Sequence, residues 1–103
     1  MTTIIENNLG EIEALCRKCG VRRLAVFGSL VRGDFDEATS DLDFLVEFAP
    51  MSPRDHKDAY FSLLEDLEAL FSRNIDLVEL NALRNPFVRS QIEMDQEAVY
   101  DAA

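Results

Sequence analysis

The segment 27–46, FGSLVRGDFDEATSDLDFLV, constrains this chain more than any other stretch, because it concentrates polar side chains between two apolar runs. Asp41 and Asp43 begin the second run, although Asp is disfavoured in strands. Residues i and i+2 of a strand share a face, so the two carboxylates are predicted to lie side by side. Like charges this close resist ionisation unless a cation lies between them, and Mg²⁺ is typically held by one or two carboxylates plus substrate phosphates. An amphipathic strand with one wet face is the alternative interpretation.

Gly28 and Ser29 follow directly after the first apolar run. Glycine lets the backbone come close to a ligand, and amides at a helix start favour anions. The dipeptide alone is typical of a plain turn, but its position ahead of the Asp pair favours a phosphate site. Arg32 has two interpretations, a phosphate contact or an ion pair with an acidic residue of the segment 34–37.

The order Gly-Ser-x-x-Arg-Gly-Asp and then Ser-Asp-x-Asp resembles the signature of the polymerase-beta-like nucleotidyltransferase superfamily. The resemblance is closest to its smallest branch, the minimal nucleotidyltransferases (MNT), and extends from about Val21 to Tyr100. It implies an α/β (α+β) nucleotidyltransferase fold, a small mixed β-sheet with helices packed on it. In that superfamily a third carboxylate on an adjacent strand completes the metal site. Asp76 is the candidate by position, with a solvent-facing edge residue as the alternative.

The resemblance also implies roles for six residues and for two cofactors. Two Mg²⁺ ions and ATP as the substrate are expected. The implied metal ligands and catalytic residues are Asp41, Asp43 and Asp76, and the implied nucleotide-binding residues are Gly28, Ser29 and Arg32.

Minimal members of the superfamily commonly act as the antitoxin half of HEPN/MNT toxin–antitoxin pairs, and in some of these a tyrosine of the toxin is adenylylated. The resemblance therefore implies a Mg-dependent enzyme that transfers AMP from ATP to a hydroxyl of a HEPN-type toxin, in a hetero-oligomer with it. Two alternatives stay open. One is a non-catalytic antitoxin that neutralises its partner by contact, and the other is a small-molecule nucleotidyltransferase that needs a second subunit.

The length and the net charge of the chain limit the other expectations. At 103 residues the chain 1–103 is expected to form one domain. No apolar run approaches a membrane span and the N-terminus lacks the pattern of a signal peptide, so a cytoplasmic protein without membrane contact is expected. A net charge of −10, from 20 acidic against 10 basic residues, repels polyanions. We therefore expect no direct nucleic-acid binding, whereas a basic protein partner suits the charge.

Cys16 and Cys19, the only cysteines, have the C-x-x-C spacing of zinc and redox sites. A structural zinc site normally needs four ligands, and His56 is the only histidine. Both cysteines also lie on the apolar stripe of a predicted helix, so two buried core cysteines are expected. His56, in the first turn of another helix, is expected to be exposed rather than catalytic.

The apolar periodicity predicts helices and strands in alternation. The first helix is predicted over 4–19, with Ile5, Leu9, Ile12, Cys16 and Cys19 on its buried face. A strand at 21–27, a short helix and loop at 30–39, a strand at 41–48, a long helix capped by Ser52, a strand at 75–80, a helix from Asn85-Pro86 to about Asp95 and a short strand at 98–100 follow. In the second strand, alternation points Leu42, Phe44, Val46 and Phe48 to the core, with Leu45 and Glu47 opposite. Phe87, Val88 and Ile92 are expected to anchor the last helix.

Overall fold

A four-stranded mixed sheet is the centre of the computed structural model, which describes residues 3–33, 35–36 and 40–102. The strands are β1 (Val21–Phe27), β2 (Leu42–Phe48), β3 (Ile75–Glu79) and β4 (Glu97–Asp101). Their order is β3-β2-β1-β4; β2 runs parallel to β3, and β1 runs antiparallel to both of its neighbours. The predicted mixed sheet with packed helices is confirmed.

Five α-helices accompany the sheet in the described part of the chain. They are α1 (Thr3–Glu6), α2 (Leu9–Lys18), α3 (Ser29–Arg32), α4 (Pro53–Phe71) and α5 (Pro86–Asp95), with a 3₁₀ turn at Leu80–Ala82. The helix α4 supplies the long crossover that a parallel pair such as β2 and β3 requires. α2 and α4 contact each other and the sheet, and Lys18 of α2 pairs with Asp66 of α4 at 2.7 Å. None of the described helices has both the length and the apolar character needed to cross a membrane.

The prediction of one helix over 4–19 is wrong, because the chain turns between α1 and α2. The Asn8 side-chain amide donates to the backbone carbonyl of Ile4 at 2.8 Å and its backbone N–H to that of Ile5 at 3.0 Å, so local hydrogen bonds replace a continuous helix here. Leu9, predicted on the buried face, begins α2 with 38% of its surface exposed. The other four residues of the predicted face are buried, and they are Ile5, Ile12, Cys16 and Cys19.

The predicted start of α4 is confirmed. The hydroxyl oxygen of Ser52 accepts the backbone N–H of Asp55 at 3.2 Å, and Pro53 occupies the first helical position. The side-chain oxygen of Asn85 likewise accepts the N–H of Phe87 at 2.9 Å at the start of α5. Capping residues in the sequence therefore located both helix starts.

β2 departs from strict alternation. Leu42, Phe44 and Val46 are buried as predicted, but Leu45, predicted to point away from the core, is also buried at 3% exposure. Leu45 lies opposite Ala25 of β1 in the register, and Ala25 is fully buried, so the second face of the sheet is covered here as well. Phe48, predicted in the core, is only partly buried and packs against its edge.

Cys16 and Cys19 are free thiols within the core, as predicted. Burial, followed by the nearby Cys19 and Glu13, raises the pKa of Cys16 from 9.0 to about 12. In the residues that the structure describes, no three His, Cys, Asp or Glu side chains are grouped closely enough to hold a metal ion. The C-x-x-C spacing thus reflects helix packing.

The buried Cys16 thiol predicts a loss of stability in alkali. An unfolded Cys16 ionises above pH 9.0 whereas the folded thiol stays protonated to about pH 12, so the unfolded state binds fewer protons and the free energy of unfolding falls as the pH rises through this window. Denaturant titrations should show that Cys16→Ala, although less stable overall, has a slope with pH that is smaller by up to about 1.4 kcal/mol per pH unit. Identical slopes in the two proteins would contradict the assignment.

Candidate active site

Three strand ends meet at one edge of the sheet. Because β1 is antiparallel to β2 and β2 is parallel to β3, the end of β1 adjoins the starts of β2 and β3. The register places Phe27 opposite Asp43, and Asp43 opposite Asp76. The residues that follow Phe27 therefore arrive beside two carboxylates that are far apart in the sequence.

Gly28 occupies a position that only glycine fits. Its φ of 76° lies in the left-handed region, which side chains disfavour. A Cβ atom there would also overlap the carboxylate of Asp43 and lie 3.1 Å from its Cγ. The main chain of Gly28 is therefore in direct contact with the side chain of Asp43, and glycine is required both for conformation and for space.

The turn at Gly28 leads at once into the single helical turn α3. The carbonyl of Gly28 accepts the N–H groups of Val31 at 3.1 Å and Arg32 at 3.0 Å. Gly33 ends the turn with a φ of 87°, as predicted. This is the strand, Gly-Ser turn and short helix that the sequence indicated.

Asp43 is half-buried, and its pKa reflects its burial and three neighbouring charges. Burial, then the carboxylate of Asp76, then that of Asp41 raise its pKa above 3.8, while the guanidinium of Arg32 lowers it. Asp41 and Asp76 are exposed. The site thus concentrates negative charge on a partly desolvated oxygen pair, an arrangement that a cation would stabilise.

A cavity of about 410 Å³ opens over this edge of the sheet. Four of the six predicted site residues line it: Gly28, Arg32, Asp43 and Asp76. Ser29 and Asp41 do not line it, although each lies within two residues of one that does. Of the ion-pair partners considered for Arg32, Asp34 and Glu37 lie outside the described residues.

The opposite wall of the cavity comes from α5 and the segment before it, which the sequence did not assign to a site. The wall consists of Leu83, Val88, Gln91, Ile92 and Asp95, with Val78 of β3 beneath it. The four residues of α5 have the spacing i, i+3, i+4 and i+7 of one helix face. This face combines the polar residues Gln91 and Asp95 with apolar residues. That combination was the sequence signal that could have assigned α5 to a site. Phe87 and Val88, expected to anchor α5 with Ile92, are instead 82% and 45% exposed, and Ile92 is partly buried.

His56 lies away from this edge, at the opposite end of the strands. Its Nε2 contacts Oε1 of Glu79 at 2.5 Å, and its ring meets Phe48 edge-on with centroids 5.2 Å apart. Glu79 pairs with Val46, three residues along β2 from Asp43. His56 is partly exposed and lies outside the lining of the cavity over Asp43. Its non-catalytic role stays a prediction.

Comparisons with known proteins agree with this geometry. A family model described as a nucleotidyltransferase domain matches residues 12–99. A protein of Thermococcus cleftensis named protein adenylyltransferase MntA is 38% identical over 86 residues, which cover 84% of this chain and 80% of that protein. The match includes most of both chains, so it concerns the whole fold rather than a short motif.

Two solved complexes share the fold. A toxin–antitoxin structure with AMP-PNP superposes with a TM-score of 0.69 at 21% identity, covering 92% of this chain and 74% of that one. A tri-AMPylated HEPN toxin of Shewanella oneidensis in complex with its MNT antitoxin gives a TM-score of 0.65 at 19% identity, covering 95% and 73%. The strand–turn–helix at Gly28, the paired strands that carry Asp43 and Asp76, and these matches lead to one conclusion: the chain belongs to the nucleotidyltransferase domain family, and within it to the minimal enzymes related to protein adenylyltransferases.

Proposed function

We propose that this chain transfers AMP from ATP to a tyrosine hydroxyl of a HEPN-type toxin and thereby acts as its antitoxin. The observation that carries the proposal is the register that brings Gly28, Asp43 and Asp76 to one cavity. The related MntA of Thermococcus cleftensis is named a protein adenylyltransferase, and the AMPylated HEPN toxin of Shewanella oneidensis is bound to an antitoxin of this fold. The proposal treats residues 1–103 as one catalytic domain that acts in the cytoplasm, where ATP is available.

The donor set at the site fits magnesium. Asp41, Asp43 and Asp76 offer only carboxylate oxygens, which are the ligands that Mg²⁺ prefers. Burial, followed by repulsion from Asp76 and Asp41, raises the pKa of Asp43, and a bound cation would favour its charged form. Among the described residues these carboxylates are not grouped closely enough to complete a metal site by themselves. They would therefore hold the two Mg²⁺ ions together with phosphate groups of the nucleotide. Bound there, the ions would neutralise the triphosphate and make the acceptor hydroxyl more acidic.

The residues of the chain would bind the phosphates and accept the proton of the acceptor hydroxyl. The close backbone approach at Gly28 and Ser29 would hold the outer phosphates, and Arg32 would offset their charge. Asp76, exposed and close to Asp43, would take the proton of the acceptor hydroxyl. The hydroxyl oxygen forms a bond to the α-phosphorus while the bond to the bridging oxygen of the β-phosphate breaks, so that pyrophosphate leaves with the electron pair. Positioning of the reactants supplies a large part of the rate in such reactions.

The partner follows from the comparison and from charge. A chain with a net charge of −10 favours association with a basic protein. The same charge opposes contact with nucleic acid, so the proposal includes none. A complex of antitoxin and toxin is therefore the expected functional state.

Substitution of the carboxylates tests the proposal. The purified chain is incubated with Mg²⁺, α-labelled ATP and a HEPN-type toxin as the candidate partner, and AMP on that partner is measured by intact mass. Asp43→Asn and Asp76→Asn should each lower the rate by about 100-fold or more, since each removes a ligand or base from the site. Glu65→Gln, an equally conservative change at an exposed position of α4, should leave the rate unchanged.

Thermal melting separates loss of chemistry from loss of folding in the same experiment. Asp43→Asn removes a half-buried charge that is repelled by Asp76 and Asp41, so the metal-free variant should melt no lower than the original chain. A partner that is bound tightly but gains no AMP, and that Asp43→Asn neutralises fully, would instead establish the contact-only antitoxin. AMP found only on an added small molecule would establish the third alternative.

Glycine substitutions test the contact between Gly28 and Asp43. Gly28→Ala combines an unfavourable φ of 76° with an overlap at the carboxylate, whereas Gly33→Ala has a φ of 87° with open space around the new Cβ. Each should lose roughly 1–3 kcal/mol of stability. Only Gly28→Ala should also lose transfer activity, by at least about tenfold, because a displacement of reacting groups by about 1 Å can cost roughly 100-fold.

Gly10→Ala is the matched control for the substitutions of Gly28 and Gly33. Gly10 lies in α2, where a Cβ would meet no neighbouring atom within 4 Å, so alanine should stabilise the chain by roughly 0.5–1 kcal/mol. Equal loss of activity in Gly28→Ala and Gly33→Ala would mean that strain in the turn, rather than the contact with Asp43, controls the reaction.

A further inference from the structure

The helix α5 exposes large apolar side chains beside the cavity. Phe87 and Met94 are 82% and 80% exposed, and Val88 is 45% exposed. α5 contributes no fully buried residue, whereas α4 buries Leu63, Leu67 and Phe71. Side chains of this size in water are costly, and a cluster of them is typical of an interaction surface.

The exposed residues form a stripe that borders the cavity. Positions 87, 91 and 94 are separated by four and three residues, so they lie along one side of the helix. Gln91, in the middle of this series, lines the cavity together with Val88 of the adjoining face. We call Phe87, Val88, Gln91 and Met94 the α5 stripe. It connects the space above Asp43 and Asp76 with the outer surface.

From this continuity we infer that the α5 stripe is the docking surface for the acceptor segment of the partner protein, a basic segment with apolar side chains on both sides of its hydroxyl-bearing residue. The inference rests on the proposed function. An acceptor hydroxyl must enter the cavity to reach a phosphate held over Asp43, so its flanking residues must lie on the surface that surrounds the opening. Of the exposed large apolar side chains in the described residues, Phe87, Val88 and Met94 belong to a helix that lines the cavity.

Charge selects the partner. Asp76 and Asp95 line the cavity, and Glu97 follows the end of α5. Arg89, the basic residue of α5, pairs with Glu93 at 3.3 Å, so its charge is offset within the helix. A basic segment is therefore attracted to this edge, while a second copy of a chain with a net charge of −10 is repelled.

Peptide binding tests the surface independently of turnover. The probe is a fluorescein-labelled peptide of the pattern Arg-Arg-Leu-Tyr-Leu-Arg-Arg, and its binding to the full chain with Mg²⁺ and AMP-PNP is followed by fluorescence anisotropy. The double variant Phe87→Ser/Met94→Ser should raise the dissociation constant about tenfold or more. Phe61→Ser, which removes a 50% exposed aromatic ring from α4, should leave it unchanged.

A nucleotide readout separates docking from a damaged cavity. The affinity for a fluorescent ATP analogue should be the same in the double variant and the original chain, because Phe87 and Met94 do not line the cavity. In transfer assays the double variant should raise KM for the peptide with kcat retained. If the peptide binds as described but neither the original chain nor a variant transfers AMP, the docking surface is supported and the proposed function is wrong.

Three results would overturn the inference. The first is no measurable peptide binding by the original chain, or equal binding by the double variant. The second is equal weakening by Phe61→Ser, which would show non-specific adsorption to apolar surface. The third is self-association at micromolar concentration that Phe87→Ser/Met94→Ser abolishes, which would assign the stripe to a second copy of the chain.

Discussion

The half-buried carboxylate of Asp43 is the group on which the rest of the structure depends. It lies against the main chain of Gly28, opposite Phe27 on one side and Asp76 on the other. Burial and two neighbouring carboxylates disfavour its charge, so the metal-free fold holds it at a cost. That cost is tolerable because the neighbouring residues of the same strand, Leu42 and Phe44, are fully buried. If Asp43 acts as proposed, function and stability oppose each other at this single position.

The crossover helix α4 allows two residues that are distant in the sequence to lie side by side. Asp43 and Asp76 are separated by the whole of α4, and only the parallel pairing of β2 with β3 places them side by side. A crossover between two parallel strands of one sheet usually contains a helix, and that helix packs back on the sheet. The buried face of α4, with Leu63 and Leu67, therefore serves the active site as well as the core. A defect in that packing would displace Asp76 relative to Asp43.

Short sequence patterns made several element boundaries and part of the candidate site predictable. Ser52 and Asn85 marked helix starts, and Gly33 marked the end of a turn. Of the Gly-Ser and Asp-x-Asp pairs, Gly28 and Asp43 line the cavity of the candidate site. The failures have physical causes. Asn8 competes for backbone hydrogen bonds and divides the first helix, a choice that apolar periodicity does not register. The burial of Leu45 depends on what covers the second face of the sheet, and the exposure of Phe87 depends on how α5 is placed. Both depend on tertiary packing, and so does the position of α5 as a wall of the cavity.

The two sides of the cavity differ in how firmly they are held. Its floor consists of strands in a hydrogen-bonded sheet, whereas its wall is a helix without a buried residue, joined to the sheet at its C-terminal end by the contact of Arg23 Nη1 with Gln96 Oε1 at 2.5 Å. Segments with little buried apolar surface open more readily than the core around them. A ligand that fills the cavity would restrict the motion of this wall, and part of its binding free energy would offset the lost entropy. Under the proposed function, nucleotide and partner would contact the same helix from two sides and share this cost, so that each would favour the binding of the other.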